Sequence, residues 1–157
     1  MALPVGTPAP EFTLLTKTAE GLSPRSTKDL AGKNLVLLFF PAAFTGVCTD
    51  ELCDMTAGIG DYQKLNAEVW AISCDSAFAH EAWAKQNSIS ITLLSDYDKK
   101  VCELYDVVLQ DLVGLGKASK RAAFVIDAQG VIRYSEETAA LGDLPNFAAV
   151  VETLQSL

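Results

Sequence analysis

Short, nearly continuous apolar runs alternate along the chain with stretches in which apolar residues recur every three or four positions. Residues 35–40 (Leu-Val-Leu-Leu-Phe-Phe), 69–73 (Val-Trp-Ala-Ile-Ser) and 121–127 (Arg-Ala-Ala-Phe-Val-Ile-Asp) read as buried strands. Residues 89–94 contain a shorter one. Behind a proline-rich entry, Pro4 to Pro10, the alternation of Phe12 and Leu14 starts another, and residues 20–31 hold a further short strand and a turn. Helical spacing links Leu52, Met55, Ile59 and Tyr62; then Phe78, Ala79, Ala82 and Trp83; then Val101, Leu104 and Tyr105; and finally Phe147, Val150, Val151 and Leu154. Thr45, Asp75 or Ser76, and Asp96 or Asp98 are the expected caps of the first three helices. Asp143-Leu144-Pro145 is expected to start the last, with proline in its first turn. Gly58 and Gly60 bend or end the first helix. Gly114 and Gly116 make 109–119 a loop, and Ala128-Gln129-Gly130 turns one strand into the next, Val131 to Tyr134. The order is that of an α/β fold with a mixed central sheet covered on both faces.

At 157 residues, half hydrophobic and a fifth charged, the chain is expected to form a single domain, 1–157, with a full core. No apolar run approaches the roughly 20 residues of a membrane helix. The net charge of −8, with no basic stripe, argues against nucleic acid and anionic membrane as partners. The first residues carry no basic and then apolar leader pattern. With four cysteines and no such leader, the expected setting is a reducing cytoplasm, where thiols react more often than they staple.

The chemistry centres on Cys48. It stands where the strand 35–40 hands over to a helix, in that helix's first turn, where free N–H groups and the helix dipole favour a thiolate. The thiolate, not the thiol, is the nucleophile. Asp50 and Glu51, read here as acids of the same first turn, oppose that charge, so a cation is needed to outweigh them. Arg121, Lys120, Arg133 and Arg25 are the candidates, and an arginine serves better than Lys120 because a guanidinium donates in fixed directions to more than one acceptor.

Pro41-x-x-x-Thr45-x-x-Cys48 resembles the active-site signature of the peroxiredoxins, the thiol peroxidases. Gly6-x-x-Ala9-Pro10-x-Phe12-x-Leu14 resembles their usual opening, and Arg121-x-x-Phe124-x-Ile126-Asp127 the strand that carries their active-site arginine. The resemblance covers nearly the whole chain. It implies a thioredoxin-like fold with added N-terminal strands, and reduction of hydrogen peroxide and organic hydroperoxides through a Cys48 sulfenic acid. It also implies roles for Pro41 in shielding the thiol, Thr45 in binding the peroxide and Arg121 in stabilising charge. No cofactor or metal is implied. Recycling would fall to thioredoxin or another small dithiol protein, and assembly would be a homodimer through an edge near Phe44 and Trp83, or a monomer.

Cys48-x4-Cys53 resembles the bacterioferritin-comigratory (PrxQ) branch, whose second thiol resolves the sulfenic acid. Phe39-Phe40-Pro41-x-Ala43-Phe44-Thr45-Gly46-x-Cys48 also resembles the one-cysteine alkyl hydroperoxide reductase E branch, which uses an outside thiol. Residues i and i+5 of a helix lie about 8.6 Å apart at Cα, and a disulfide needs less than about 7 Å. Resolution by Cys53 therefore requires the helix to unwind. No Val-Cys-Pro follows the last helix, so a C-terminal resolving thiol is not expected. Cys74 and Cys102 are read as packing residues, with Cys102 a rival resolving thiol. His80 is read as lying at a surface or dimer edge. Phe44, Phe39 and Trp83 are candidates for an apolar wall beside the peroxide. The alternative functions on the same fold are a thiol–disulfide oxidoreductase, which lacks its usual Cys-x-x-Cys, and a non-enzymatic redox sensor.

Overall fold

The computed structural model describes residues 1–157. Seven strands form one sheet: β1 (Thr13–Thr18), β2 (Gly21–Ser26), β3 (Asn34–Phe39), β4 (Ala67–Ser73), β5 (Thr92–Ser95), β8 (Ala122–Ile126) and β9 (Ile132–Glu137), in the order β2-β1-β5-β4-β3-β8-β9. Between them lies a two-stranded ribbon, β6 (Val108–Leu109) with β7 (Ala118–Ser119). The helices are α1 (Gly46–Ala57), α2 (Ile59–Lys64), α3 (Ala77–Asn87), α4 (Lys100–Leu104) and α5 (Phe147–Gln155).

β3, β4 and β5 run parallel, while β8 is antiparallel to β3 and β9 to β8. Every residue of β3 is buried, as expected of a strand paired on both sides and covered on both faces. The period of two then divides its side chains. Val36, Leu38 and Phe40 join Cys48, Leu52, Met55, Trp83 and Val150 in one core layer, beneath α1, α3 and α5. Leu35, Leu37 and Phe39 join Val101, Cys102, Tyr105 and Phe124 in the other. The N-terminal hairpin β1–β2 extends the sheet at the β5 edge through Leu15 and Ser95.

Several boundaries differ from the sequence reading for local reasons. Gly58 does end α1, and α2 restarts at Ile59. Ser76, not Asp75, caps α3 by accepting from the Ala79 N–H. At α4, Asp96 accepts from the Val101 and Cys102 N–H groups, although α4 itself begins at Lys100. The last helix starts at Phe147 with Asn146 as its cap, so Pro145 precedes the helix instead of opening it. The 109–119 segment is not wholly irregular, because it closes the β6–β7 ribbon. On α3, Phe78 and Ala82 face solvent, and the buried stripe is Ala77, His80 and Trp83.

Phe124 packs edge-on against both Phe39 and Tyr105, with ring centroids 5.8 and 5.2 Å apart. Phe124→Ala is expected to destabilise the fold by about 3–5 kcal/mol in urea titrations. A loss below about 1 kcal/mol would show that this core layer collapses around the vacancy.

Candidate active site

Antiparallel pairing of β8 with β3 sets the Phe39 end of β3 beside Ala122, the first residue of β8. Arg121 therefore enters the sheet at the same end from which the chain leaves β3, turns, and begins α1. Cys48 is the third residue of α1, within its first turn, and is 1% exposed. Arg121 Nη2 donates to Cys48 Sγ at 3.2 Å and to the Leu141 carbonyl at 3.1 Å. Arg121 Nη1 donates to Glu51 Oε2, making an ion pair inside the protein. Arg121 is 2% exposed and Glu51 fully buried.

Glu51 corrects the sequence reading. Because α1 begins at Gly46, Asp50 and Glu51 fall in its second turn, and no acid occupies the first. Three residues past Cys48, Glu51 projects on the same side of the helix and meets the guanidinium that also meets the sulfur. The acid read as an opponent of the thiolate is a holder of its cation. Burial pushes the Glu51 carboxyl up to about 7, against the pull of Arg121, and its Oε1 has no hydrogen-bond partner. Burial alone would lower Arg121, but its interactions with Glu51 and Cys48 outweigh this and hold Arg121 above its ordinary value. The guanidinium is a fixed cation with donors committed in three directions.

The turn ahead of α1 is built for its job. Phe44 has φ of +63°, a left-handed conformation that costs a bulky residue energy and needs support from its surroundings. That support is on both sides of it. The Ala43 N–H donates to Asp75 Oδ2 at 2.8 Å, and the Thr45 hydroxyl donates to the Ala42 carbonyl at 2.8 Å. Thr45 is the N-cap residue by position, but its hydroxyl does not cap an N–H as anticipated. Instead it faces back along the turn and is exposed, as is Phe44. Pro41 is buried behind the turn. Phe40, not Phe39, lies on the Cys48 face, its ring 5.3 Å from that of Trp83, whose indole N–H donates to Thr49.

Asp75 belongs to a network that sequence reasoning missed. Its Oδ2 also accepts from the Ser73 hydroxyl at 2.6 Å, and Ser73 Oγ lies 2.6 Å from His80 Nε2. His80, read as a surface residue, is 1% exposed. Burial pushes its imidazole down to about 4, and Asp75 pulls weakly the other way. The only signal in the sequence was that His80 stands three residues before Trp83 on one helix face.

Cys53 is half-buried on α1, its Sγ 3.6 Å from the Asn87 carbonyl. All four cysteines are free thiols. Of the arginine's rivals, Lys120 pairs with Glu137, Arg133 pairs with Asp127, and Arg25 lies on the edge strand β2. The broad cleft of about 390 Å³ lined by Lys33, Ile59, Gln63 and Glu68 lies at the opposite end of the parallel strands. The C-terminal end of β3 carries instead the Cys48 thiol, the Arg121 cation and the exposed turn.

The sheet is thioredoxin-like, with a cysteine at a strand–helix junction beside a buried arginine, and the proteins it matches are thiol-dependent peroxidases. Residues 5–135 match the AhpC/TSA family, and the chain belongs to it as a peroxiredoxin. It is 34% identical to Peroxiredoxin-2 of Bos taurus over 158 residues, covering 96% of this chain and 75% of that one. It is 35% identical to the mitochondrial thioredoxin-dependent peroxide reductase of Drosophila melanogaster over 162 residues, covering 98% of this chain and 65% of that one. The crystal structure of peroxidoxin BcpB from Mycobacterium tuberculosis superposes with a TM-score of 0.83 at 25% identity, covering 98% of this chain and 97% of that one. No helix is long and apolar enough to cross a membrane.

Protonating His80 at its unpartnered Nδ1 buries a charge, and the sign of the effect follows. The folded-state pKa of about 4 lies below the ordinary 6.5, so the unfolded chain binds the proton more readily. Stability is fully present above pH 6.5 and is lost as the pH falls toward 4. At pH 5 the parent chain should have lost about 2 kcal/mol more than His80→Gln, relative to pH 7.5, in paired urea titrations. Equal losses in both chains would mean that His80 is not held neutral.

Proposed function

We propose that Cys48 is the nucleophile of the peroxidase reaction, with Arg121, Thr45 and Pro41 completing its site. The observation that carries this reading is the Arg121 Nη2–Cys48 Sγ hydrogen bond of 3.2 Å inside the protein. The Cys48 thiolate attacks the terminal oxygen of a hydroperoxide, the O–O bond breaks, and sulfur gives up two electrons to become a sulfenic acid. The departing alkoxide or hydroxide takes a proton and leaves as alcohol or water. Charge moves from sulfur onto the two oxygens as this happens. A guanidinium already fixed by Glu51 and Leu141 stabilises that charge without reorganising. Backbone N–H groups at Val47 and Cys48 and the Thr45 hydroxyl, once turned from Ala42, supply the remaining donors. Pro41 keeps water from the sulfur.

The sulfenic acid is then resolved by Cys53 or by an external thiol. α1 is continuous through both cysteines, so the first route requires its opening turns to unwind and the Cys53–Asn87 contact to break. The end of α1 at Gly58 limits that cost to one short helix. The Drosophila relative is named for its dependence on thioredoxin, and we assign a thioredoxin-like dithiol protein as the final reductant. The free thiols suit a reducing, cytoplasmic setting. Exposed Phe44, but not the buried Trp83, is available to a homodimer edge.

One equivalent of hydrogen peroxide, followed by intact mass within seconds, tests this in the parent chain, Cys48→Ser and Cys53→Ser. A loss of about 2 Da abolished by either substitution means a Cys48–Cys53 disulfide. A gain of about 16 Da lost only in Cys48→Ser means a sulfenic acid awaiting an outside thiol. Reaction of Cys48→Ser as fast as the parent would overturn the assignment.

A further inference from the structure

Two thiols outside this site lie against each other. Cys74 immediately follows β4, Cys102 sits in α4, and their Sγ atoms are 3.8 Å apart. Both belong to the core layer on the opposite face of the sheet from Cys48. The pair is asymmetric. Cys102 is fully buried, whereas Cys74, just past the end of its strand, is half-buried. Asp96, itself fully buried, fixes Cys102 by accepting from the N–H groups of Val101 at 3.1 Å and Cys102 at 2.8 Å. The contact with Cys102 lowers Cys74 below the ordinary thiol value, with Lys99 adding to this against burial, Asp96 and Asp75. The same contact, with burial and Asp96, pushes Cys102 up. An accessible sulfur that attacks and a sheltered protonated sulfur behind it is the arrangement that dithiol chemistry uses.

We propose that Cys74 and Cys102 form a second dithiol site, which reduces a hydroperoxide and is itself joined as an intramolecular disulfide. The Cys74 thiolate attacks the terminal peroxide oxygen, the O–O bond breaks, and two electrons leave sulfur. The products are a Cys74 sulfenic acid and an alkoxide or hydroxide that takes a proton from water. Cys102 sulfur then attacks Cys74 sulfur. The S–S bond forms, the S–O bond breaks, and the Cys102 proton departs with the hydroxyl as water. One peroxide is consumed per disulfide, and an external dithiol restores the pair. Asp96 and the two sulfurs also lie within 4.8 Å of one another, as donors to a metal would. Both Asp96 oxygens are already engaged by backbone N–H groups, which favours the dithiol reading.

The test uses Cys48→Ser/Cys53→Ser, in which only this pair remains, under excess hydrogen peroxide. The expected result is a loss of about 2 Da, reversed by dithiothreitol, and a non-reduced peptide map joining the Cys74 and Cys102 peptides. Adding Cys102→Ser should replace the loss with a gain of about 16 Da at Cys74. Adding Cys74→Ser should leave the mass unchanged. The parent chain under the same excess must yield the same cross-linked peptides, which guards against misfolding of the variants. Absence of that link from the parent chain would overturn the proposal. So would one zinc retained per chain that shields both thiols from alkylation.

Discussion

A buried guanidinium must reach a buried sulfur, and the sheet's pairing makes that contact. Had β8 run parallel to β3, its first residue would lie at the far end of the sheet from α1. Antiparallel register instead sets Ala122 beside Phe39, so that Arg121 arrives under the first turns of α1. The cost of burying a cation there is offset by Glu51 and by the Leu141 carbonyl. Glu51 comes from the helix that carries Cys48, and this fixes the distance between cation and thiol within one rigid element. A single side chain thus ties together β8, α1 and the segment between β9 and α5.

The turn between β3 and α1 depends on a second polar network. A positive-φ phenylalanine is an unfavourable way to turn a chain. Here it is tolerated because Asp75 accepts from the neighbouring Ala43 N–H, while Ser73 holds Asp75 and His80 in turn holds Ser73. These groups stand at the end of β4, the strand next to β3, so the two parallel strands cooperate at their C-terminal ends. That is where α/β sheets place their chemistry. The network also explains why His80 must stay neutral. Its Nδ1 has no partner, and charging it would bury a cation at a cost that the pull of Asp75 does not offset.

Features that local order dictates were legible in the chain itself. The strand 35–40, the glycine that ends α1, the placement of Cys48 in its first turn and the position of Arg121 ahead of a buried strand all follow from neighbours in sequence. What tertiary contact decides was not. Glu51 looked like a first-turn acid opposing the thiolate, because nothing in its neighbours shows that Arg121 arrives from 70 residues away. His80 was read at a surface or dimer edge because histidine is intermediate in its preference for burial, and its neighbours in sequence do not show Ser73 beside it. Phe39 and Phe40 were indistinguishable in a run buried on both faces, where composition does not reveal which side of the sheet each takes. The Thr45 hydroxyl was assigned to the helix ahead of it, but the left-handed Phe44 turned it toward Ala42.

The account rests on Arg121 stabilising the sulfur and the charge it transfers. The most direct measurement is the single-turnover rate constant for hydrogen peroxide, by stopped flow, in the parent chain, Arg121→Lys and Arg121→Gln. Far-UV spectra would check that the fold is kept. Loss of the guanidinium in Arg121→Gln should slow the reaction by about 10²–10³, as removing one fixed charge donor does elsewhere. Arg121→Lys should fall between, keeping the charge but not the paired donors. A rate in Arg121→Gln within about twofold of the parent, too small a change for a lost donor of this kind, would contradict the central claim.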